Sequence, residues 1–126
     1  MATRCFIGVE LPEGKVKAVY CHNDGYPEGV GADLLSMGFT DSSEVEEFVN
    51  EGDRSTTSLS YKEWRNEDCP PNWYHTVTDY FNSDLEQYGY LFTQEGQWLV
   101  KDMYNQHGPF SEPRLLEDVL KEWSID

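Results

Sequence analysis

The sequence predicts an α+β fold, with a small, mostly antiparallel sheet built from two hairpins and packed with three or four helices. Strand-like alternation on both sides of a short turn occurs near the N-terminus and again around residues 94–96. The segments with helical periodicity do not alternate one-to-one with these strands, which argues against a parallel β-α-β architecture. The 126 residues suffice for one ordinary core, so we expect residues 1–126 to form a single compact domain.

The first hairpin is predicted from residues 4–21. Residues 4–9 alternate so that Cys5, Ile7 and Val9 share one face of a strand. Residues 12–14, Pro-Glu-Gly, form a turn, and residues 15–21 alternate again. This pattern is typical of a hairpin that buries one of its two faces.

Residues 20–35, YCHNDGYPEGVGADLL, are predicted to form the corner between a strand and a helix. Gly25 and Pro27 bend the chain, and residues 31–35 open a short helix that Gly38 ends. The same stretch contains a cysteine, a histidine and three glycines. It therefore raises the question of whether the corner also carries chemistry.

The clearest helix signal lies between residues 41 and 52. Asp41, Ser42 and Ser43 offer N-cap oxygens, and Ser43 with Glu46 has the spacing of a capping box. Apolar residues at helical spacing follow, and Gly52 closes the helix. The apolar stripe consists of Val45, Phe48 and Val49.

The second half of the chain gives a weaker pattern before residue 88. We expect a loop or weakly formed strand over residues 53–73 and a helix over residues 73–85. The second hairpin joins residues 88–93 to residues 97–104, with aromatic side chains on one face. Ser111 is predicted to cap a final helix, with Pro113 in its first turn.

The charge excludes some classes of partner. The chain carries 24 acidic and 9 basic residues, a net charge of −15. Such a surface repels phosphate backbones and anionic lipids, so we expect no direct nucleic-acid binding and no membrane binding. It attracts a basic groove on another protein, such as one built to hold DNA or RNA. The alternative is that the acidity only keeps the protein soluble.

Acidic residues concentrate between residues 32 and 53, where there are seven acids and no base. Helical spacing places Glu44, Glu47 and Glu51 on one flank. This flank is the predicted binding surface for a basic partner, and the alternative is an ordinary solvated helix face. The candidate partner-binding residues are Asp33, Asp41, Glu44, Glu47, Glu51 and Asp53.

The glycine-rich corner is the alternative site. Glycines ahead of a helix allow backbone N–H groups to converge on an anion, and a small nucleotide could stack on Tyr26 or a tryptophan. No Lys or Arg lies in the stretch, however, and a turn that packs a strand closely against a helix needs the same residues. The candidate ligand-binding residues are His22, Asp24, Tyr26, Gly29 and Gly31.

No pattern in the sequence indicates catalysis or metal binding. Cys21 and His22 are adjacent, so on a strand they point to opposite faces and cannot form a nucleophile–base pair. The third cysteine after Cys5 and Cys21 is Cys69, and no paired zinc spacing occurs. We therefore expect no enzymatic activity, no metal and no cofactor. The cysteine usage, with no signal peptide or long apolar run, predicts a reducing cytoplasm.

Several motifs resemble a family of small proteins encoded by bacteriophages and prophages. They are residues 1–4, the stretch YCHNDGYPEGVG at residues 20–31, the leucines at 34–35, and Gly-Asp-Arg-Ser at residues 52–55. The resemblance covers about the first half of the chain, and Asn23 departs from it, because members usually carry an aromatic residue there. The resemblance implies a phage accessory gene that acts in the bacterial cytoplasm, and it assigns no catalytic or binding residue.

Together these features predict a non-enzymatic inhibitor that binds a host protein with a basic groove. By analogy with other small phage proteins, that partner is a nucleic-acid-binding component of a defence system such as CRISPR–Cas. The rival hypotheses are a small-ligand binder at the corner, an enzyme using Cys21 or His22, and a structural phage component. Homo-oligomerisation stays open in each of them.

Overall fold

The structure, a computed structural model, describes residues 4–22, 25–54, 65–66, 71–82, 88–102 and 113–123. Its strands form one sheet with helices on both faces, which confirms the predicted α+β class. Among the described residues, five strand pairs are antiparallel and two are parallel, so the sheet is mostly antiparallel. Within the described ranges, no helix has the length and apolar character needed to cross a membrane.

The strands are β1 (Cys5–Glu10), β2 (Val16–Cys21), β3 (Asp53–Arg54), β4 (Arg65–Asn66), β5 (Asn72–Tyr74), β6 (Tyr88–Phe92), β7 (Trp98–Asp102) and β8 (Arg114–Leu115). The helices are α1 (Ala32–Ser36), α2 (Ser42–Val49), α3 (Val77–Phe81) and α4 (Leu116–Trp123), and a π-helical turn, Pro27–Gly31, leads into α1.

The two predicted hairpins are present as β1–β2 and β6–β7, and they lie at the centre of the sheet. They are joined by a parallel contact between β1 and β6, and the strand order is β4-β3-β2-β1-β6-β7-β8. The outer edge of β2 is shared, because β3 pairs with it at Cys21 and β5 pairs with it at residues 16–18. This sharing places β5 at the margin of the sheet.

One face of the sheet is covered by the helical layer, our name for the π-helical turn, α1, α2 and α4. Apolar residues of all four segments pack into one core with the inward residues of β1, β6 and β7. The helices contribute Val30, Leu34, Val45, Phe48, Val49, Leu116 and Val119. The apolar stripe predicted for α2 is therefore buried.

The opposite face carries a second, smaller core under α3. It contains Val16 and Ala18 of β2, whereas Val19 and Cys21 face the helical layer. The prediction that the first hairpin buries one face is therefore wrong for β2, because α3 covers the second face through Tyr80. Gly8 allows this approach, since a Cβ atom there would lie 3.1 Å from Cζ of the tyrosine.

Two boundaries differ from the sequence-based expectations. The helix predicted over residues 73–85 begins at Val77 as α3, because residues 72–74 pair with β2 as β5, and residues 83–85 lie outside the described residues. Pro113 precedes β8 rather than opening the last helix, which begins at Leu116. Residues 53–54 and 65–66 form short strands, which agrees with the alternative of a weakly formed strand in the segment 53–73. Asp24, Cys69 and Ser111 lie outside the described residues.

Candidate functional site

Helix α2 begins with a capping box formed by Asp41 and Glu44. The Asp41 carboxylate accepts hydrogen bonds from the Glu44 backbone N–H at 3.1 Å and the Ser43 hydroxyl at 2.6 Å. The Glu44 carboxylate accepts from the Asp41 N–H at 3.4 Å and the Thr40 N–H at 2.7 Å. The predicted box between Ser43 and Glu46 is therefore wrong, because the helix starts at residue 42 and residue 41 takes the cap position.

These hydrogen bonds hold both carboxylates in their ionised form. The Ser43 hydroxyl and the Glu44 N–H lower the pKa of Asp41, and the N–H and hydroxyl of Thr40 lower the pKa of Glu44. Both side chains are exposed, but each is engaged by the first turn of its own helix. Two of the predicted partner-binding residues therefore help to form α2.

The remaining predicted acidic residues have different environments. Asp33 on α1 and Glu47 on α2 are exposed. Glu51 follows the end of α2 and is half-buried. The backbone of Asp53 belongs to β3, and its side chain lies outside the description. Of the flank predicted for α2, Glu44 and Glu47 are therefore exposed, whereas Glu51 is only partly exposed.

Helix α4 extends the acidic surface beyond the residues predicted from the sequence. Among the described residues of the helical layer and its cap, the exposed carboxylates are Glu28, Asp33, Asp41, Glu44, Glu47, Glu117, Asp118 and Glu122. The one exposed Lys or Arg in those same helices is Lys121, and Glu122 is paired with Arg114. The charge on the outer side of the layer is therefore almost entirely negative. The spacing of acids opposite Leu116 and Val119 could have revealed this second acidic helix.

The corner is held by buried contacts. The Tyr90 hydroxyl donates a 2.7 Å hydrogen bond to the Gly25 carbonyl, and burial raises the pKa of that phenol. A Cβ atom on Gly31 would lie 2.9 Å from Cδ1 of Leu116 and 3.4 Å from the Tyr90 ring. Gly31 is therefore the point at which the π-helical turn packs against α4 and β6.

The candidate ligand-binding residues of the corner are only partly available. The Gly29 N–H donates to the Tyr26 carbonyl at 2.9 Å, so it is already used within the turn. His22 Nδ1 lies 2.7 Å from the Tyr20 hydroxyl, and the Tyr26 side chain is 38% exposed. The sequence left two alternatives open for the corner, a ligand-binding site or a turn that packs a strand closely against a helix. These contacts favour the second. Ligand binding there stays a prediction.

Cys5 and Cys21 face each other across β1 and β2, and both are fully buried. Burial and the neighbouring Cys21 thiol raise the pKa of Cys5 well above its ordinary value. A thiol with a raised pKa is a poor nucleophile at neutral pH. Among the described residues, no group of three or more His, Cys, Asp or Glu side chains is arranged to hold a metal ion.

A second surface feature, which the sequence did not reveal, lies at β5. The Trp73 side chain is 58% exposed, the larger exposure of the two large hydrophobic side chains exposed in the described part of the chain. It borders a cleft of about 340 Å³ lined by Lys15, Tyr74 and His75. A second cleft, of about 320 Å³, also reaches Trp73, and we call it the Glu13 cleft. It is lined by Leu11, Pro12, Glu13, Lys15, Glu46 and Trp73.

Comparisons with protein-family models, with curated proteins and with solved structures found no match for this chain. The described surface offers two chemical features that could recognise a partner. The helical layer presents carboxylates to solvent, and β5 presents an indole ring beside two clefts. Carboxylates attract cations, whereas an exposed tryptophan supplies apolar contact area and a π-face.

Proposed function

We propose that this protein is a non-enzymatic binding protein whose helical layer docks onto a basic surface of another protein. The observation that carries the proposal is the set of eight exposed carboxylates on the described part of this layer and its cap residue Asp41, against the single exposed ammonium of Lys121. Such a surface repels nucleic acid and attracts Lys and Arg side chains. The net charge of −15 supports the same choice of partner.

The partner we propose is a bacterial protein whose basic groove holds DNA or RNA, such as a component of a CRISPR–Cas defence system. The resemblance of the first half of the chain to phage-encoded proteins supports a host protein in the bacterial cytoplasm. Carboxylates on the layer would take the places of phosphate groups, so the bound groove could not hold its nucleic acid. Inhibition would then need no catalysis and no cofactor.

Charge alone does not account for tight binding. Exposed charges at the rim of an interface mainly increase the association rate, while buried aromatic and apolar anchors slow dissociation. We therefore expect the interface to combine carboxylates of the helical layer with an aromatic contact near them.

Capture from host lysate, followed by competition with nucleic acid, tests this function. The immobilised protein should retain a nucleic-acid-binding protein at low salt, and added duplex DNA or RNA should release it. Glu47→Lys on the layer should weaken retention, whereas Asp79→Lys on α3, at the opposite face of the sheet, makes the same change in net charge and should weaken it much less. Retention that neither nucleic acid nor Glu47→Lys affects would contradict the proposal.

A further inference from the structure

Lys17 connects Trp73 to helix α2 of the acidic helical layer. The two residues are directly paired across β2 and β5, and the Lys17 ammonium lies 4.9 Å from the centre of the indole ring. The same ammonium donates to Glu46 at 3.1 Å and to Asn50 at 2.6 Å. The Lys17 side chain is 13% exposed, so it is an ordered link between β5 and α2. An interface centred on α2 can therefore include the exposed indole.

The Glu13 cleft has the groups that hold a cationic side chain. Leu11 and Pro12 form its apolar part, Trp73 supplies a π-face, and Glu13 and Glu46 supply carboxylates. Glu46 is already paired with Lys17, whereas Glu13 forms no ion pair with any of the described residues. The Glu13 carboxylate is thus available to an incoming cation.

Lys17 shows how a cation is held at this edge. Its ammonium rests against the ring of Trp73 and pairs with the carboxylate of Glu46. The Glu13 cleft presents the same two kinds of group, a carboxylate and the same indole, to a molecule outside the chain. Arginine suits such a site better than lysine, because its planar guanidinium stacks on aromatic rings and donates two parallel hydrogen bonds to a carboxylate.

We propose that the Glu13 cleft receives an arginine side chain of the partner protein, with its guanidinium against Trp73 and paired with Glu13. This inference rests on the proposed function, because it names the residue type by which the basic partner is recognised. A cleft of about 320 Å³ has room for one such side chain. Trp73 then supplies the aromatic contact that the carboxylates of the helical layer lack.

Lys15 opposes this binding and makes the inference easy to test. It lines both clefts at Trp73 and is exposed, so its ammonium repels an incoming guanidinium and would attract an anion. Replacing Lys15 with glutamine should therefore strengthen the binding of a cation and weaken the binding of an anion. If the cleft instead receives an anionic aromatic ligand, such as a mononucleotide stacked on Trp73, Lys15→Gln should weaken the binding of that ligand.

The test is a calorimetric titration of the full chain with the capped peptide Ac-Gly-Arg-Arg-Gly-NH2. The matched probe replaces both arginines with citrulline, which keeps the shape and removes the charge. We expect Trp73→Leu to weaken binding of the arginine peptide by about fivefold, and Glu13→Gln to weaken it by about threefold. Lys15→Gln should strengthen it by about twofold, the citrulline peptide should bind far more weakly, and Asp79→Asn should change nothing. Circular dichroism confirms that each variant is folded.

Equal affinity of the wild type and Trp73→Leu for the arginine peptide would overturn the inference. Weaker binding of the peptide by Lys15→Gln, or tighter binding of adenosine monophosphate than of the peptide, would also overturn it.

Capture of the partner from lysate separates this inference from the proposed function. If Glu47→Lys reduces capture and Trp73→Leu does not, the acidic layer binds the partner and the arginine site is wrong. If Trp73→Leu reduces capture and Glu47→Lys does not, the arginine site stands and the role of the acidic layer is wrong.

Discussion

The corner at residues 25–31 and the edge at Trp73 show two opposite uses of polar and aromatic residues. At the corner, Tyr90 and Leu116 fill the space around Gly31, and the Tyr90 hydroxyl donates its hydrogen bond to the Gly25 carbonyl. At the edge, the indole of Trp73 is 58% exposed and lies beside a carboxylate that no described cation neutralises. The unusual composition of the corner thus accompanies close packing, whereas the edge at Trp73 is where we propose that the protein binds its partner.

The largest effect on stability is expected from Tyr90→Phe at the corner. The change leaves the Gly25 carbonyl buried without its 2.7 Å hydrogen bond, which costs about 2 kcal/mol of unfolding free energy. Urea denaturation followed by circular dichroism measures this cost. Trp73→Leu is the corresponding substitution of an aromatic residue at the edge. Because the Trp73 ring is exposed, this substitution should change the unfolding free energy by about 0.5 kcal/mol or less. A larger loss of stability from Trp73→Leu than from Tyr90→Phe would reverse the comparison.

A smaller loss is expected from Gly31→Ala. The new methyl group would lie 2.9 Å from Leu116 Cδ1, and this overpacking outweighs the gain in helix propensity by about 1 kcal/mol. The double variant with Leu116→Val should recover part of the loss, because the shortened side chain leaves room for the methyl group. Additive effects of the two substitutions in urea denaturation would show that the contact is not the cause.

The smallest effect concerns the charge of the capping box. Hydrogen bonds from Thr40 lower the pKa of Glu44 in the folded protein below its ordinary value of 4.5, so its ionised form stabilises the fold at neutral pH. That contribution is lost as the pH falls through the lowered pKa. Glu44→Gln keeps the hydrogen-bond acceptor and removes the charge, so its melting temperature should be slightly lower than that of the wild type at pH 7 and should approach it below pH 4.5. A difference that stays constant from pH 7 to pH 3 would mean that the charge contributes nothing.

The sequence predicted the elements whose signals are local. The stripe of Val45, Phe48 and Val49 and the two hairpins were predicted from periodicity alone, and both are present, although β2 buries both of its faces rather than one. The cap of α2 was misplaced because residues 41–43 are all good N-cap types, and the sequence does not rank them.

Long-range contacts decide what the sequence missed. Two contacts join residues that are far apart in the chain: the parallel pairing of β1 with β6, and the packing of Tyr80 against Gly8. No local sequence pattern predicts them. Trp73 looked like the start of a helix, and only its pairing with Lys17 puts it at the sheet edge. Likewise, the role of Gly31 depends on Leu116, which lies far along the chain.

The most direct test is a ¹H–¹⁵N correlation NMR titration of the full chain with Ac-Gly-Arg-Arg-Gly-NH2, repeated with adenosine monophosphate. The indole N–H of Trp73 and the backbone amides of Glu13 and Lys15 should shift with the peptide, while the amides of Gly25, Gly29 and Gly31 stay in place with both probes. Shifts centred on those three glycines, with the indole of Trp73 unmoved, would contradict the division between a packed corner and a binding edge.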